Sequence, residues 1–372
     1  MTLSISNYKI SRFWTYYFFI RLFYLLFAVL VYARLTTLGD TEWYLGLGLR
    51  PFSISILLYD STGFMVFFGG IIGTFFRFNM VLSNLPSMLA SFFTVKWVVE
   101  KLSLRKYINN TLLMVVLSFP NFVIWTTLWS KEFFGLIYTA IIAMLIINFL
   151  NGIYKIKMID ILGLYLCWLF NSQYLPFILQ GLIYIYIARS KFLKNNPMGQ
   201  LRLAIIFLCI NIIFLYLIRD IINQYAVMMQ SFFVHYAAQA TRDNIFLEDY
   251  DFFRYLPWGM FVAFFGPTLT EMLENPLHLI AGVESIFKIA LFFYLTKHIV
   301  FKGFFYFRIA PLITVSYFII LMGILFIHYP FGVFNPGAAV RYRSRFIFLF
   351  MVLLLYLYSL RQSCYLKRKQ YV

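Results

Sequence analysis

Leu22–Val31, Leu203–Ile218 and Phe346–Tyr358 are nearly unbroken apolar runs, and comparable runs recur along the whole chain. Runs of this length and number fit a bilayer better than one very large water-soluble core. The pattern predicts an all-α, polytopic transmembrane bundle of about ten crossings forming a single integral-membrane domain over 1–372. The expected spans are 14–33, 81–100, 111–129, 133–149, 159–171, 174–188, 203–219, 282–300, 309–328 and 346–360. Two further apolar pieces, 63–77 and 256–268, are too short or too flanked by Pro and Gly to cross alone. They read as re-entrant or interfacial helices, which survive where protein or water satisfies their backbone ends. The pair 159–171 and 174–188 is interrupted by Asn171-Ser172-Gln173 and followed by Pro176, as expected of broken helices lining a polar cavity.

Composition sharpens this. Of 372 residues, 62% are hydrophobic and only 12% charged, too few to coat a water-facing surface. Lys9 and Arg12 precede the first apolar stretch and no small-residue cleavage site follows before Arg34, so that helix is read as retained. The net charge of +17 does not form a continuous basic surface, which speaks against nucleic acid. Instead the cations gather in alternate loops: Lys9 and Arg12; Lys101, Arg105 and Lys106; Lys155 and Lys157; Arg189, Lys191, Lys194 and Arg202; Lys297, Lys302 and Arg308; and Arg361, Lys367, Arg368 and Lys369. By the positive-inside rule these loops and both termini face the cytoplasm. Segments 34–62 and 220–281 carry most of the acids and face outward. Cys167, Cys209 and Cys364 have neither disulfide nor zinc spacing and read as packing residues.

The loop 329–345, YPFGVFNPGAAVRYRSR, breaks the charge bias by placing Arg341, Arg343 and Arg345 on the outer side. Guanidinium groups grip phosphate in two places and stay ionised where water is scarce. Pro330, Asn335, Pro336 and Gly337 predict a turn-rich approach, and an extended segment would aim all three arginines one way. The trio then forms a clamp for a lipid phosphate or pyrophosphate; the competing reading is headgroup anchoring at a helix end. In the first outer loop, Asp40 and Glu42 are candidates for a general base or metal ligands, against an ordinary loop anchored by Trp43 and Tyr44. Lys131 and Glu132 are candidate substrate contacts or a simple charged pair. His235, in the long acidic loop, is a candidate contact or a structural histidine, and neither His298 nor His328 has metal-ligand spacing with another residue. Arg21, inside the first apolar run, snorkels or pairs within the bundle. No phosphate loop, HExxH, GxSxG or CxxC occurs.

Four short stretches resemble multi-pass GT-C glycosyltransferases and, among these, bacterial O-antigen polymerases. They are Gly39-Asp40 with Tyr44, the turn PNFVIWTTLWSKE, the segment FGPTLTEMLENPLHLIAGVES, and the late RYRSRF. Arg345-Phe346 stands where many such proteins have Arg-x-Pro, and Thr126-Thr127 replaces a Ser pair. The resemblance implies a cofactor-independent enzyme of the bacterial inner membrane that polymerises undecaprenyl-pyrophosphate-linked repeat units for lipopolysaccharide or capsule. Asp40 or Glu42 would be the base and the three arginines would hold the leaving pyrophosphate. A flippase and a chain-length regulator would be its partners. A GT-C enzyme adding a single sugar from a polyprenyl phosphate, and a lipid-glycan flippase, are the alternatives; no duplicated half favours the flippase.

Overall fold

The computed structural model describes residues 11–235, 242, 245–274, 276–303 and 310–369. It is 81% helix, and the described residues hold no strand. Six helical stretches are long and apolar enough to cross a membrane, or up to eight if each of two bent pairs counts as one span. The chain divides into two compact units, Met1–Phe133 and Phe134–Val372.

The first unit begins with α1 (Arg12–Leu35), which contains one π turn at Ala28–Tyr32. The short α2 (Thr41–Gly46) follows, then α3 (Ser61–Phe75) and α4 (Met80–Lys101). The expected span 111–129 is instead two helices, α5 (Asn110–Leu117) and α6 (Pro120–Thr127), bent by 57°. The cause is local: Pro120 occupies the first turn of α6 and supplies no N–H to continue α5.

The other end of α6, at Thr127, is bonded by side chains of α4 and α1. Ser87 Oγ donates to the Thr127 carbonyl at 2.7 Å, and Asn84 Oδ1 accepts from the Trp129 N–H at 2.5 Å. Arg21 is fully buried rather than snorkelling. Its Nε donates to Tyr17 Oη at 2.9 Å and its Nη1 to Ser91 Oγ at 2.6 Å and Thr127 Oγ1 at 3.3 Å. Beside the negative end of α6, a cation is favoured without a carboxylate.

The piece 63–77 is α3, whose 15 residues span only about 22 Å. It lies against α2 by bare backbone contact. A Cβ at Gly69, Gly70 or Gly73 would sit within 2.5 Å of the carbonyl oxygens of Tyr44, Gly48 and Leu45 respectively. Trp129 Nε1 donates to the Met65 carbonyl at 3.1 Å, tying α3 to the residues that follow α6.

The second unit holds most of α7 (Lys131–Leu150), then α8 (Met158–Asn171) and α9 (Leu175–Ala188). A 3-10 turn, Ser172–Tyr174, joins α8 to α9, so by length the stretch Met158–Ala188 reads as one 31-residue apolar helix. Its contacts make it a hairpin. The Tyr186 ring lies 5.2 Å from that of Tyr154, and a Cβ on Gly152 would be 2.9 Å from Arg189 Nη1. A straight helix from 158 to 186 would be about 42 Å long, whereas the four-residue step from 154 to 158 reaches at most about 14 Å. The chain therefore doubles back at Asn171, whose backbone leaves the helical region (φ −152°, ψ 60°). Tyr138 on α7 donates to Asn171 Oδ1 at 2.9 Å and holds the turn.

Next comes α10 (Pro197–Leu217), which is apolar on every side and hardly covered: Ile206, Ile213 and Leu217 are 54%, 59% and 72% exposed. Such a surface belongs in lipid, since water would penalise it along its whole length. The stretch 220–281, expected as an outer loop, contains α11 (Arg219–His235), α12 (Leu256–Phe265) and α13 (Leu269–Glu274). Then follow α14 (Pro276–Gly303), α15 (Ala310–Gly332), α16 (Pro336–Arg343) and α17 (Ile347–Lys369), with α16 and the apolar part of α17 bent by 54°.

The bare-backbone contact of α3 is directly testable. Gly70→Val should cost about 1–3 kcal/mol through overpacking and lower the melting temperature of the purified protein. Gly46→Ala, which meets nothing within 4 Å, should leave it unchanged apart from a small gain in helix propensity. Equal melting of the two variants would remove the close-contact account.

Candidate functional site: a buried cationic centre in the second unit

Asn335-Pro336 does not make the expected turn but starts a helix. Asn335 Oδ1 accepts from the N–H groups of Gly337 (2.7 Å) and Ala338 (3.2 Å), and Pro336 supplies the preset φ of a first helical residue. Arg341 and Arg343 therefore lie on α16, and the three arginines do not share the face that an extended segment would give them. Arg341 and Arg345 are half-buried, with their guanidinium carbons 5.8 and 4.6 Å from the Tyr342 ring centre. Arg343 goes the other way and is fully buried.

The acceptors for Arg343 come from the end of α12. Gly266-Pro267 stops that helix, because proline cannot donate the next backbone bond. A Cβ at residue 266 would lie 2.4 Å from the Val262 carbonyl. The carbonyls of Phe264 and Gly266 are left over and accept from Arg343 Nη1 at 2.7 and 3.0 Å. Gly266 O also accepts from Ser285 Oγ on α14 at 3.1 Å. Arg343 Nε and Nη2 are buried and make no hydrogen bond.

On α14, Glu284 and Lys288 are one turn apart, form an ion pair and have side chains only 2% exposed. Ser285, between them, shares the Gly266 carbonyl with Arg343, which brings this turn of α14 beside the guanidinium. Opposite them His328 Nε2 bonds the Ala263 carbonyl at 3.0 Å, and its ring is 5.0 Å from Phe346. Phe346 stacks on Phe264 at 5.8 Å and meets Tyr174, just past the hairpin turn, edge-on at 5.8 Å. Among the described residues the site thus brings the Arg343 guanidinium and the Glu284–Lys288 ion pair together inside an aromatic shell.

The chain beyond Pro267 is fastened beside this centre. Thr268 and Glu271 cap α13 reciprocally: the Thr268 N–H donates to Glu271 Oε2 at 2.8 Å and the Glu271 N–H to Thr268 Oγ1 at 3.4 Å. Arg242 pairs with Glu271 through two bonds of 2.7 and 2.6 Å and donates to the Val333 carbonyl at 2.9 Å.

The remaining candidates are placed as follows. In the first unit Asp40 and Glu42 are both exposed, at the start and in the first turn of α2, and Tyr44 Oη donates to Asp40 Oδ2 at 3.4 Å. Lys131 is half-buried and donates to Ser61 Oγ (3.1 Å) and Thr62 Oγ1 (2.9 Å), while Glu132 is fully buried. The side chain of His235 lies outside the described residues. Among the described residues no three of His, Cys, Asp or Glu come together as a metal site. Comparison with known protein families, with curated proteins and with solved structures returns no match.

Glu284 and Ser285 end the stretch FGPTLTEMLENPLHLIAGVES, while Lys288 and His328 lie outside the four stretches of the resemblance; the sequence nonetheless holds a signal for Glu284 and Lys288. Glu and Lys four residues apart in the apolar run GVESIFKIALFF are costly unless they face a polar interior.

The Arg242–Glu271 pair should behave as one coupled unit, because each side chain is only 8% exposed. Glu271→Ala strands a buried cation and should cost about 3–5 kcal/mol. Adding Arg242→Ala should recover at least about 1 kcal/mol relative to simple addition of the two losses. Additive losses in a thermal-unfolding cycle would show that the two groups act independently.

Proposed function

We propose that this chain is a multi-pass inner-membrane glycosyltransferase that extends a polymer from polyprenyl-pyrophosphate-linked glycan repeat units. In this reading both termini face the cytoplasm, and α16 faces the outer side against the Lys and Arg bias of the other loops. The observation that carries it is Arg343: a fully buried guanidinium with Nε and Nη2 unbonded, beside the Glu284–Lys288 ion pair. An apolar enclosure holds such a charge at a cost, and an oxyanion ligand offsets it. The resemblance of RYRSRF and Gly39-Asp40 to O-antigen polymerases supports glycosyl transfer as the chemistry.

In the proposed step an acceptor hydroxyl of one lipid-linked unit attacks the anomeric carbon of another. The new C–O bond forms as the bond from that carbon to the pyrophosphate oxygen breaks, and the lipid pyrophosphate leaves with the electron pair. Arg343, with Arg341 and Arg345, stabilises the growing negative charge. Asp40, or Glu42, takes the proton of the hydroxyl.

Purified protein in nanodiscs, given lipid-linked repeat units and no energy source, should make polymer. Arg343→Ala and Asp40→Asn should each reduce it by about 100-fold or more. Polymer formation unchanged in both variants would falsify the assignment of roles. Cells lacking the protein should accumulate a single complete repeat unit on its carrier; an incomplete unit would identify a single-sugar transferase instead. The topology has its own check. A cysteine placed at the exposed Gly337, in a protein whose native cysteines are replaced, should react with a membrane-impermeant maleimide in intact cells. Labelling only after the cells are opened would put α16 on the wrong side for this reaction.

A further inference from the structure

We propose that Lys288 is a second phosphate-binding cation of this site, held by Glu284 while the site is empty and transferred to the ligand when an oxyanion enters beside Arg343. The inference rests on the reading of the centre as a phosphate site and adds a residue that no motif marked.

Three observations carry it. First, Lys288 and Glu284 form an ion pair a single turn apart on α14, and Ser285 between them shares the Gly266 carbonyl with Arg343. The Arg343 guanidinium beside them has no carboxylate of its own; its bonds go to the carbonyls of Phe264 and Gly266. Secondly, Arg343 offers two buried, unbonded nitrogens, Nε and Nη2, which form one edge of the guanidinium fork. That edge matches two oxygens of one phosphoryl group. Thirdly, Lys288 brings three donors on a flexible stem, so it can swing from a carboxylate to a phosphate oxygen without moving its helix. A pyrophosphate monoester carries more than one negative charge. Arg343 alone leaves part of that charge unmatched, whereas Arg343 and Lys288 together match it and leave Glu284 to be accommodated by Ser285 or by a proton.

This predicts opposite effects for the two members of the ion pair. Glu284→Gln releases Lys288 from its competitor and should tighten binding. Lys288→Met removes a ligand and should weaken it. A structural pair would behave differently, because losing either member would damage the same local packing and weaken binding in the same direction.

The test uses full-length protein in nanodiscs and isothermal titration with farnesyl pyrophosphate, farnesyl monophosphate and inorganic pyrophosphate. Lys288→Met should weaken farnesyl pyrophosphate binding by about tenfold or more, and Glu284→Gln should strengthen it by a few-fold. The double variant Glu284→Gln/Lys288→Met removes any stranded buried charge, so it serves if the single lysine variant does not fold; it should bind as weakly as Lys288→Met. Inorganic pyrophosphate binding as tightly as the farnesyl ester would make the ligand a free anion; preference for the ester would make it a lipid headgroup. Wild-type affinity in both lysine variants, with binding lost in Arg343→Ala, overturns the role of Lys288 and leaves the phosphate site standing. Absence of binding of any probe to the wild-type protein overturns both.

Discussion

A guanidinium buried among apolar side chains needs oxygen acceptors, and two buried arginines of this protein find them in different places. In the first unit Arg21 donates to the hydroxyls of Tyr17, Ser91 and Thr127, the last of these closing α6. In the second unit α12 ends before Gly266-Pro267, and Arg343 takes the released carbonyls of Phe264 and Gly266. Of the two, Arg343 bonds the backbone of a helix end, whose groups need partners away from water. The two differ in what is left over. Arg21 has no ionised neighbour among its hydrogen-bond partners, whereas Arg343 lies near a second cation, Lys288, and an acid, Glu284. Both keep buried guanidinium nitrogens without a hydrogen bond, Nη2 of Arg21 and Nε and Nη2 of Arg343.

Broken helices also set the architecture around the centre. The hairpin of α8 and α9 spends 14 residues on each limb, about 21 Å, less than the hydrocarbon thickness of about 30 Å. Its turn is therefore held inside the unit by Tyr138 and placed against Phe346 by Tyr174. The carbonyls of α12 and the polar turn of the hairpin bring backbone dipoles to a depth where side-chain polarity is scarce. Arg242 and Glu271 then fix the segment after the α12 break by a forked ion pair rather than by apolar packing alone.

The helical pattern was legible from apolar runs, since hydrophobic segments of this length have few other solutions. The breaks were legible only in part. Asn171-Ser172-Gln173 marks the hairpin turn, whereas the apolar run across Ser118-Phe119-Pro120 hides a break that only the proline signals. Asn335-Pro336 has the composition of a turn, while its chemistry, an N-cap acceptor followed by a first-turn proline, equally describes a helix start. The same two residues serve both structures, and only the hydrogen bonds from Gly337 and Ala338 decide between them. Within the segment FGPTLTEMLENPLHLIAGVES, Thr268 and Glu271 form a reciprocal cap.

The amino-acid order by itself determined that this chain is built of apolar helices and that its cations are sorted between alternate loops, because both follow from residue type and spacing along one dimension. It also marked Arg341, Arg343 and Arg345 as unusual. Which of the three is buried, and that Glu284, Lys288 and His328 gather near it, was decided only by the tertiary structure. Those neighbours are 15 to 59 positions away in sequence. Nothing local in the chain specifies which helix ends and which helix faces will meet, so the electrostatics of the centre exist only once α12, α14, α15 and α16 are packed together.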